Sequence, residues 1–298
     1  MALTGQQFAL AAGRHRATVV EVGAGLRQYT VGADPVTASY GEDALPPKAC
    51  GIALFPWPNR IRGGRYVFDG TERQLVLTEP AAGNAIHGLG RWDRWQPVAQ
   101  TRGRLTLRLD LVPQTGYPFE IRAEVTYALH PERGLTVTGR AYNLGATRAP
   151  FGAGFHPYLS ARGRSLAETT VKLPAATQLD VDDQQIPVGR HPVAGTPADL
   201  RRARRLGDVR IDHPFTDVSF RDGRASAEIR NAAGGAAIWW DQSWPYVQVF
   251  TIDDLGGSGA AVAIEPMTCA PDAFNSGDGL IVLEPRQSWS GSWGIRPL

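Results

Sequence analysis

From end to end this sequence alternates apolar and polar residues with a period of two, the pattern of strands that put one face on a core and the other toward water. Residues 105–111 (LTLRLDL) place Leu at every odd position and Thr, Arg and Asp between them. Residues 120–127, 135–142 and 225–230 repeat the scheme. More uniformly apolar runs at 51–55, 236–240, 247–252 and 260–264 predict strands covered on both faces. Thirty-four Gly and 22 Pro punctuate these runs. Turn signals every ~8 to 12 residues favour an antiparallel sandwich over βαβ units. Convincing helical composition is confined to residues 198–206 (ADLRRARRL), about two turns. The expected fold is all-β, a large antiparallel β-sandwich with few short helices. No composition shift divides the chain, so a single domain over residues 1–298 is expected, with 187–197, the loosest stretch, as a surface loop.

Cys50 and Cys269 are the only cysteines, too few for a disulfide framework and suited to a reducing compartment. The first residues lack a basic stretch ahead of an apolar run, and no 18 consecutive apolar residues occur, so a cytoplasmic protein without a membrane span is expected. A net charge of +2 settles little. The run Arg201, Arg202, Arg204 and Arg205 stands without interleaved aromatics and reads as a solvated helix face, so no nucleic acid is expected. The Gly pairs lack the third Gly and following helix of a dinucleotide site, and there is no phosphate-binding glycine loop. Ser258 in GGSGA is one residue short of a nucleophile elbow. His-x-His, His-Glu-x-x-His and Cys-x-x-Cys are all absent. Most of the eight tryptophans belong in the core, leaving one or two for a pocket wall.

Polar chemistry gathers in a few apolar or glycine-rich segments. His87 lies in GNAIHGLG, where Gly88 and Gly90 permit tight turns. His156 follows an apolar strand end in FGAGFHPYL, and Pro157 ends the strand there. Both side chains suit proton transfer near neutral pH, and both also suit a structural hydrogen bond. Glu265 closes the apolar run AVAIE ahead of Pro266, which predicts a carboxylate emerging from a buried strand into a loop, with desolvation raising its pKa. Asp212 follows Ile211 and precedes a turn signal, and Arg60 carries a planar fork able to hold neighbouring ligand oxygens.

Five segments, in this order, resemble the aldose 1-epimerase (galactose mutarotase) family: Asn-Arg-Ile then Gly-Arg-Tyr over 59–66, Asn-x-x-His-Gly over 84–88, His-x-Tyr over 156–158, Asp-His-x-Phe over 212–215, and Glu265 followed by Pro-Asp-Ala-x-Asn over 271–275. Departures after His156, after Glu265 and at residues 285–287 mark a divergent branch. The resemblance implies a β-supersandwich of the galactose mutarotase type, with a cleft for a monosaccharide, no metal and no organic cofactor, in a monomer or homodimer.

It also implies roles. Glu265 would be the general base at O1 of the sugar and His156 the general acid at O5, exchanging roles after the open aldehyde rotates, while His87 would stabilise charge at the ring oxygen. Arg60, Asp212, Asn84 and Gln248 would bind substrate. This assignment needs an ionised Glu265 and a protonated His156, facing one another across a sugar-sized gap. Three alternatives stay open. The first is a hexose-6-phosphate 1-epimerase using Arg62, Arg65, Arg91 and Arg94. The second is a non-catalytic carbohydrate-binding protein on the same fold. The third is a glycoside hydrolase with Asp212 and Glu265 as its carboxylate pair.

Overall fold

The computed structural model of the chain describes residues 2–298. The period-2 pattern is realised most fully in the strand Ile121–His130, whose Ile121, Ala123, Val125, Tyr127 and Leu129 are all buried. It pairs antiparallel with Arg104–Leu111 on one side and Gly134–Asn143 on the other. These three belong to a nine-stranded sheet that continues through Ser288–Pro297, Gly234–Asp241 and Arg224–Asn231.

A second, eight-stranded sheet runs in the order Pro187–Pro192, Ala175–Val181, Asp212–Val218, Tyr246–Ile252, Ala261–Met267, Gly154–Phe155 and Ala53–Leu54, with Tyr158–Ser160 also paired to Ala261–Met267. The amino-terminal strands form a separate four-stranded sheet. The α-helix among the described residues is the four-residue Ala273–Ser276, and no helix is long and apolar enough to cross a membrane.

The two large sheets meet through aromatic rings. A side chain at Gly139, on the nine-stranded sheet, would lie 3.2 Å from the Phe55 ring and 3.3 Å from that of Phe155, so both phenyl groups rest against bare backbone there. Phe155 also packs on Trp293 and Trp244, with centroids 5.2 and 5.7 Å away. Each fully buried ring of this kind contributes roughly 1.5–3 kcal/mol. One apolar cluster reaches from Phe8 to Ile295.

Three local expectations are corrected. Residues 198–206 form no helix: Leu200 and Leu206 are both buried, a spacing that does not repeat on one helical face, and the segment's backbone bonds go outward. Leu200 accepts from the Leu173 N–H at 2.8 Å, and the Leu206 N–H donates to Thr169 at 2.9 Å. Residues 187–197 are not all loop, because Pro187–Pro192 is an edge strand, where proline's missing N–H is tolerated. Neither Glu265 nor Asp212 stands at the mouth of a loop: Ala261–Met267 continues past Pro266, and Asp212 opens the strand Asp212–Val218. Pro266 is accommodated because the neighbouring strand is broken between Phe155 and Tyr158, beside residues 264–266.

Candidate active site

The alternation that builds the second sheet also sorts its chemistry. On Tyr246–Ile252 and Ala261–Met267, Val247, Val249, Val262 and Ile264 enter the main core. The residues between them, Gln248, Phe250 and Glu265, line a cavity of about 340 Å³ on the other face. Gln248 is the cross-strand partner of Glu265, and Phe250 that of Asp212. On the far side of Glu265 the register is set by Tyr158 opposite Ala263 and Gly154 opposite Met267. Extended through the break, it brings His156 opposite Glu265. Gln248, Glu265 and His156 thus form one row across three strand positions.

His156 Nε2 lies 3.4 Å from Glu265 Oε1, and both side chains are more than nine-tenths buried. His156 Nδ1 and Glu265 Oε2 have no hydrogen-bond partner among the described residues. The imidazole is stacked on Tyr158 at 5.0 Å between centroids and 13° between planes, and meets the His87 ring edge-to-face at 5.4 Å. Tyr158 is tied in turn to the Lys48 carbonyl through its hydroxyl at 3.0 Å.

His87 sits at a left-handed position with φ 63°, its N–H bonded to the Asn59 carbonyl at 2.8 Å. The next residue must be glycine: at Gly88, φ is 71° and a Cβ would come within 2.1 Å of the Phe55 carbonyl oxygen. That oxygen accepts from Leu89 and Gly90 at 2.8 and 3.0 Å, which seats the His87 loop on the end of the Ala53–Leu54 strand.

Arg60 is held side-on by Glu79, with Nε and Nη2 at 2.7 and 2.8 Å from its two oxygens. Asp212 accepts from Gln248 Nε2 at 2.7 Å. Arg60, His87, His156, Asp212, Gln248 and Glu265 therefore converge on one cavity, as expected from the sequence. Asn84 does not. It is fully buried behind the wall in the strand pair with Arg60–Arg62, and its amide donates to the Gln184 carbonyl at 2.9 Å. Asn59, Glu79 and Tyr158 also line the cavity and were not among the expected site residues, although Asn59 and Tyr158 lie within the motif segments.

Two further expectations change here. The gap between Glu265 and His156 is 3.4 Å, too small for a sugar ring, so a ligand can lie only against the pair and not between its members. Burial also acts against the charges that the assignment needs. Burial pushes the His156 imidazole down to about 3, with the Arg60 charge in the same direction. Burial and the Asp212 charge push Glu265 well above the ordinary carboxylate value, and Arg60 opposes them. In the protein alone burial thus disfavours charge on both members of the pair. His87 is likewise held neutral by burial, then by His156, Arg91 and Arg60. Asp212 is raised by burial, against Arg60 and the Gln248 hydrogen bond.

The phosphate pocket expected from four arginines does not assemble. Arg62 pairs with Asp182, Arg94 with Glu21, and Arg65 bonds Gln74, leaving Arg91 as the member of that set on the cavity wall. No tryptophan lines the cavity among the described residues, and Trp57, Trp95, Trp240, Trp244 and Trp293 are core. No group of three or more His, Cys, Asp or Glu among the described residues is placed to hold a metal ion.

An all-β scaffold with an imidazole, a carboxyl group and hydrogen-bonding side chains converging on a cleft of this size is suited to proton transfer on a small polar molecule. The aldose 1-epimerase family model matches residues 6–296, and the chain belongs to that family. It is 36% identical over 284 residues to the uncharacterized protein YihR of Escherichia coli (strain K12), covering 95% of this chain and 91% of that one. It is 32% identical over 215 residues to the galactose mutarotase of Mus musculus, covering 67% of this chain and 61% of the mouse protein. The fold is shared with a GalM/aldose epimerase homologue from C. elegans, with a TM-score of 0.85 at 17% identity over 98% of this chain and 99% of that one. A galactose mutarotase-like protein from Clostridium acetobutylicum gives 0.83 at 19% identity, over 97% and 95%.

Proposed function

We propose that this protein interconverts the α and β anomers of a free aldose by general acid–base ring opening. The observation that carries the reading is the His156–Glu265 pair: two titratable groups 3.4 Å apart, each with a polar atom unpartnered among the described residues in a buried cleft. The reaction needs one proton to leave the C1 hydroxyl while another arrives at the ring oxygen. Both oxygens are bonded to the same carbon, so two neighbouring side chains on one side of the sugar can serve both.

In this reading the sugar moves the proton. A C1 hydroxyl donating to Glu265 favours the carboxylate, and a ring oxygen accepting from His156 favours the imidazolium, so binding shifts the proton from Glu265 to His156. Ring opening then takes the hydroxyl proton onto Glu265 and gives the imidazolium proton to the ring oxygen. After rotation about C1–C2 the roles reverse: the C5 hydroxyl returns its proton to His156, Glu265 protonates the new O1, and the ring closes on its other face. Neutral His87 would donate toward the ring oxygen, while Arg60, Asp212 and Gln248 would hold hydroxyl groups. A binding protein would gain nothing from a desolvated acid–base pair.

The chain is proposed to act as one domain, in the cytoplasm, without metal or organic cofactor. A second reading rests on Arg91 and Lys48, two cations on the cavity wall that would suit a hexose 6-phosphate. Polarimetry of freshly dissolved α-D-glucose, α-D-galactose and α-D-glucose 6-phosphate tests both. Faster equilibration of the free sugars, lost in His156→Asn, is expected. Acceleration of the phosphate ester alone would favour the second reading, and acceleration of none would reject both.

A further inference from the structure

Five polar side chains along one wall of the cleft form a single hydrogen-bonded row. Glu79 clamps Nε and Nη2 of Arg60. Arg60 Nη1 donates to Asn59 Oδ1 at 3.4 Å, Asn59 Nδ2 to Gln248 Oε1 at 3.4 Å, and Gln248 Nε2 to Asp212 Oδ1 at 2.7 Å. All five line the cavity. The two contacts made by Asn59 are long, while both ends of the row are short.

The row has a direction that chemistry imposes. A guanidinium can only donate and a carboxylate can only accept, so Arg60 fixes which end of the Asn59 amide faces it, and Asp212 does the same for Gln248. Between these fixed ends one orientation of the two amides satisfies every contact. Each amide nitrogen keeps a second hydrogen with no partner among the described residues. The wall is thereby set as a donor surface at Asn59 and Gln248 and an acceptor surface at Asp212. Asn59 is also the fixed point of the loop that carries His87, whose N–H it accepts, and it holds this place at φ 52°, a conformation Asn tolerates better than most residues.

We propose that Asn59 is a positioning and specificity-determining residue. Its amide relays the polarity of Arg60 through Gln248 to Asp212 and so fixes the donor and acceptor pattern that a ligand's hydroxyl groups meet. This rests on the cleft being the sugar site, but the relay itself is measurable without sugar.

Asn59→Asp is the decisive variant, since Asp keeps the size and tolerates the same φ but can only accept. Gln248 must then turn its nitrogen toward the new carboxylate and present its carbonyl oxygen to Asp212, which loses its donor. The Asp212 carboxyl titration, followed by ¹³C NMR in the sugar-free protein, should move up by about one pH unit or more. Direct repulsion from the new charge would also raise it, so the comparison is repeated in a Gln248→Met background, where the relay is cut. There the shift should fall to less than about half. Should the shift be absent, or equally large without Gln248, the relay is wrong.

The Michaelis constant for anomer exchange should rise about tenfold in Asn59→Asp, with kcat changed less than about threefold. A titration shift in a protein whose wild type exchanges no anomers would uphold the relay and reject the proposed function. If Asn59→Asp does not fold, Asn59→Ala gives an independent reading: the side-chain amide hydrogens of Gln248 should exchange with water about tenfold faster than in the native protein. Equal rates would overturn the proposal.

Discussion

Two antiparallel strand pairs place a glutamate in cross-strand register with a polar partner, and they treat it in opposite ways. Glu124 on Ile121–His130 faces Arg108, whose guanidinium donates to it at 2.8 Å, on a half-wet face of the nine-stranded sheet. Glu265 on Ala261–Met267 faces Gln248, whose amide is committed to Asp212 and Asn59 and gives the carboxyl group nothing. On its other side Glu265 meets an imidazole whose pKa burial pushes down. Ala261–Met267 is buried on both faces, whereas Ile121–His130 keeps one face partly wet. Burial and partner together separate the two: one carboxylate is neutralised in place, while the other is buried with an oxygen unpartnered among the described residues and a raised pKa. Glu124 is satisfied by the fold, whereas Glu265 Oε2 has no hydrogen-bond partner among the described residues.

The widest separation should appear in anomer exchange. Glu265→Gln is expected to lower the proposed activity by about 10²- to 10⁴-fold. Glu124→Gln should leave it within about twofold and cost less than about 1 kcal/mol of stability. Equal losses from the two variants would erase the distinction between the strand pairs.

Next in size is Gly88→Ala. A methyl group there meets the Phe55 carbonyl and imposes a left-handed conformation on alanine, with an expected loss of about 2 kcal/mol or more in urea unfolding and displacement of the His87 loop. Gly63, also at positive φ but with open space around its Cβ position, should lose less on the same change, and a larger loss there would contradict the packing argument.

The smallest effect is also the most specific in sign. Because the folded pKa of Glu265 lies above its ordinary value of 4.5, its contribution to stability is fully present below pH 4.5 and is lost as pH rises toward the raised folded value. Glu265→Gln should therefore be more stable than the native chain at pH 7 to 8, by about 1 kcal/mol or more, with the difference shrinking toward pH 4 in thermal melts followed across pH. Glu124→Gln should show no such gain. A Glu265→Gln chain less stable than wild type at pH 8 would mean that the carboxyl group is satisfied in the fold after all.

Most of this architecture was legible because period-2 alternation is a direct consequence of strand geometry: residues 105–111 read as a half-buried strand and form Arg104–Leu111. Residues 198–206 were misleading because Ala, Leu and Arg favour a helix locally, whereas Leu200 and Leu206 are drawn to separate core positions and their backbone bonds to residues 169–173. Of the cavity lining, His87, His156, Asp212 and Glu265 stood out in the sequence as titratable groups in apolar or glycine-rich surroundings and Arg60 by its planar fork, whereas Gln248 was expected only from the family resemblance. Asn84 was expected on the same resemblance, and its amide is spent on the Gln184 carbonyl. Glu79 gave no signal, because its role depends on Arg60 lying nearby in space. The closeness of His156 and Glu265 follows from a register between segments more than a hundred residues apart.

The most direct test of the central claim, one proton held between a buried imidazole and a buried carboxyl group and moved by sugar, is ¹⁵N NMR of the His156 ring at pH 7 with and without saturating aldose. The ring should report a neutral imidazole in the sugar-free protein and move toward the imidazolium as sugar binds, and this movement should be lost in Glu265→Gln. A His156 already cationic without sugar, or one that stays neutral at saturation, would contradict the account.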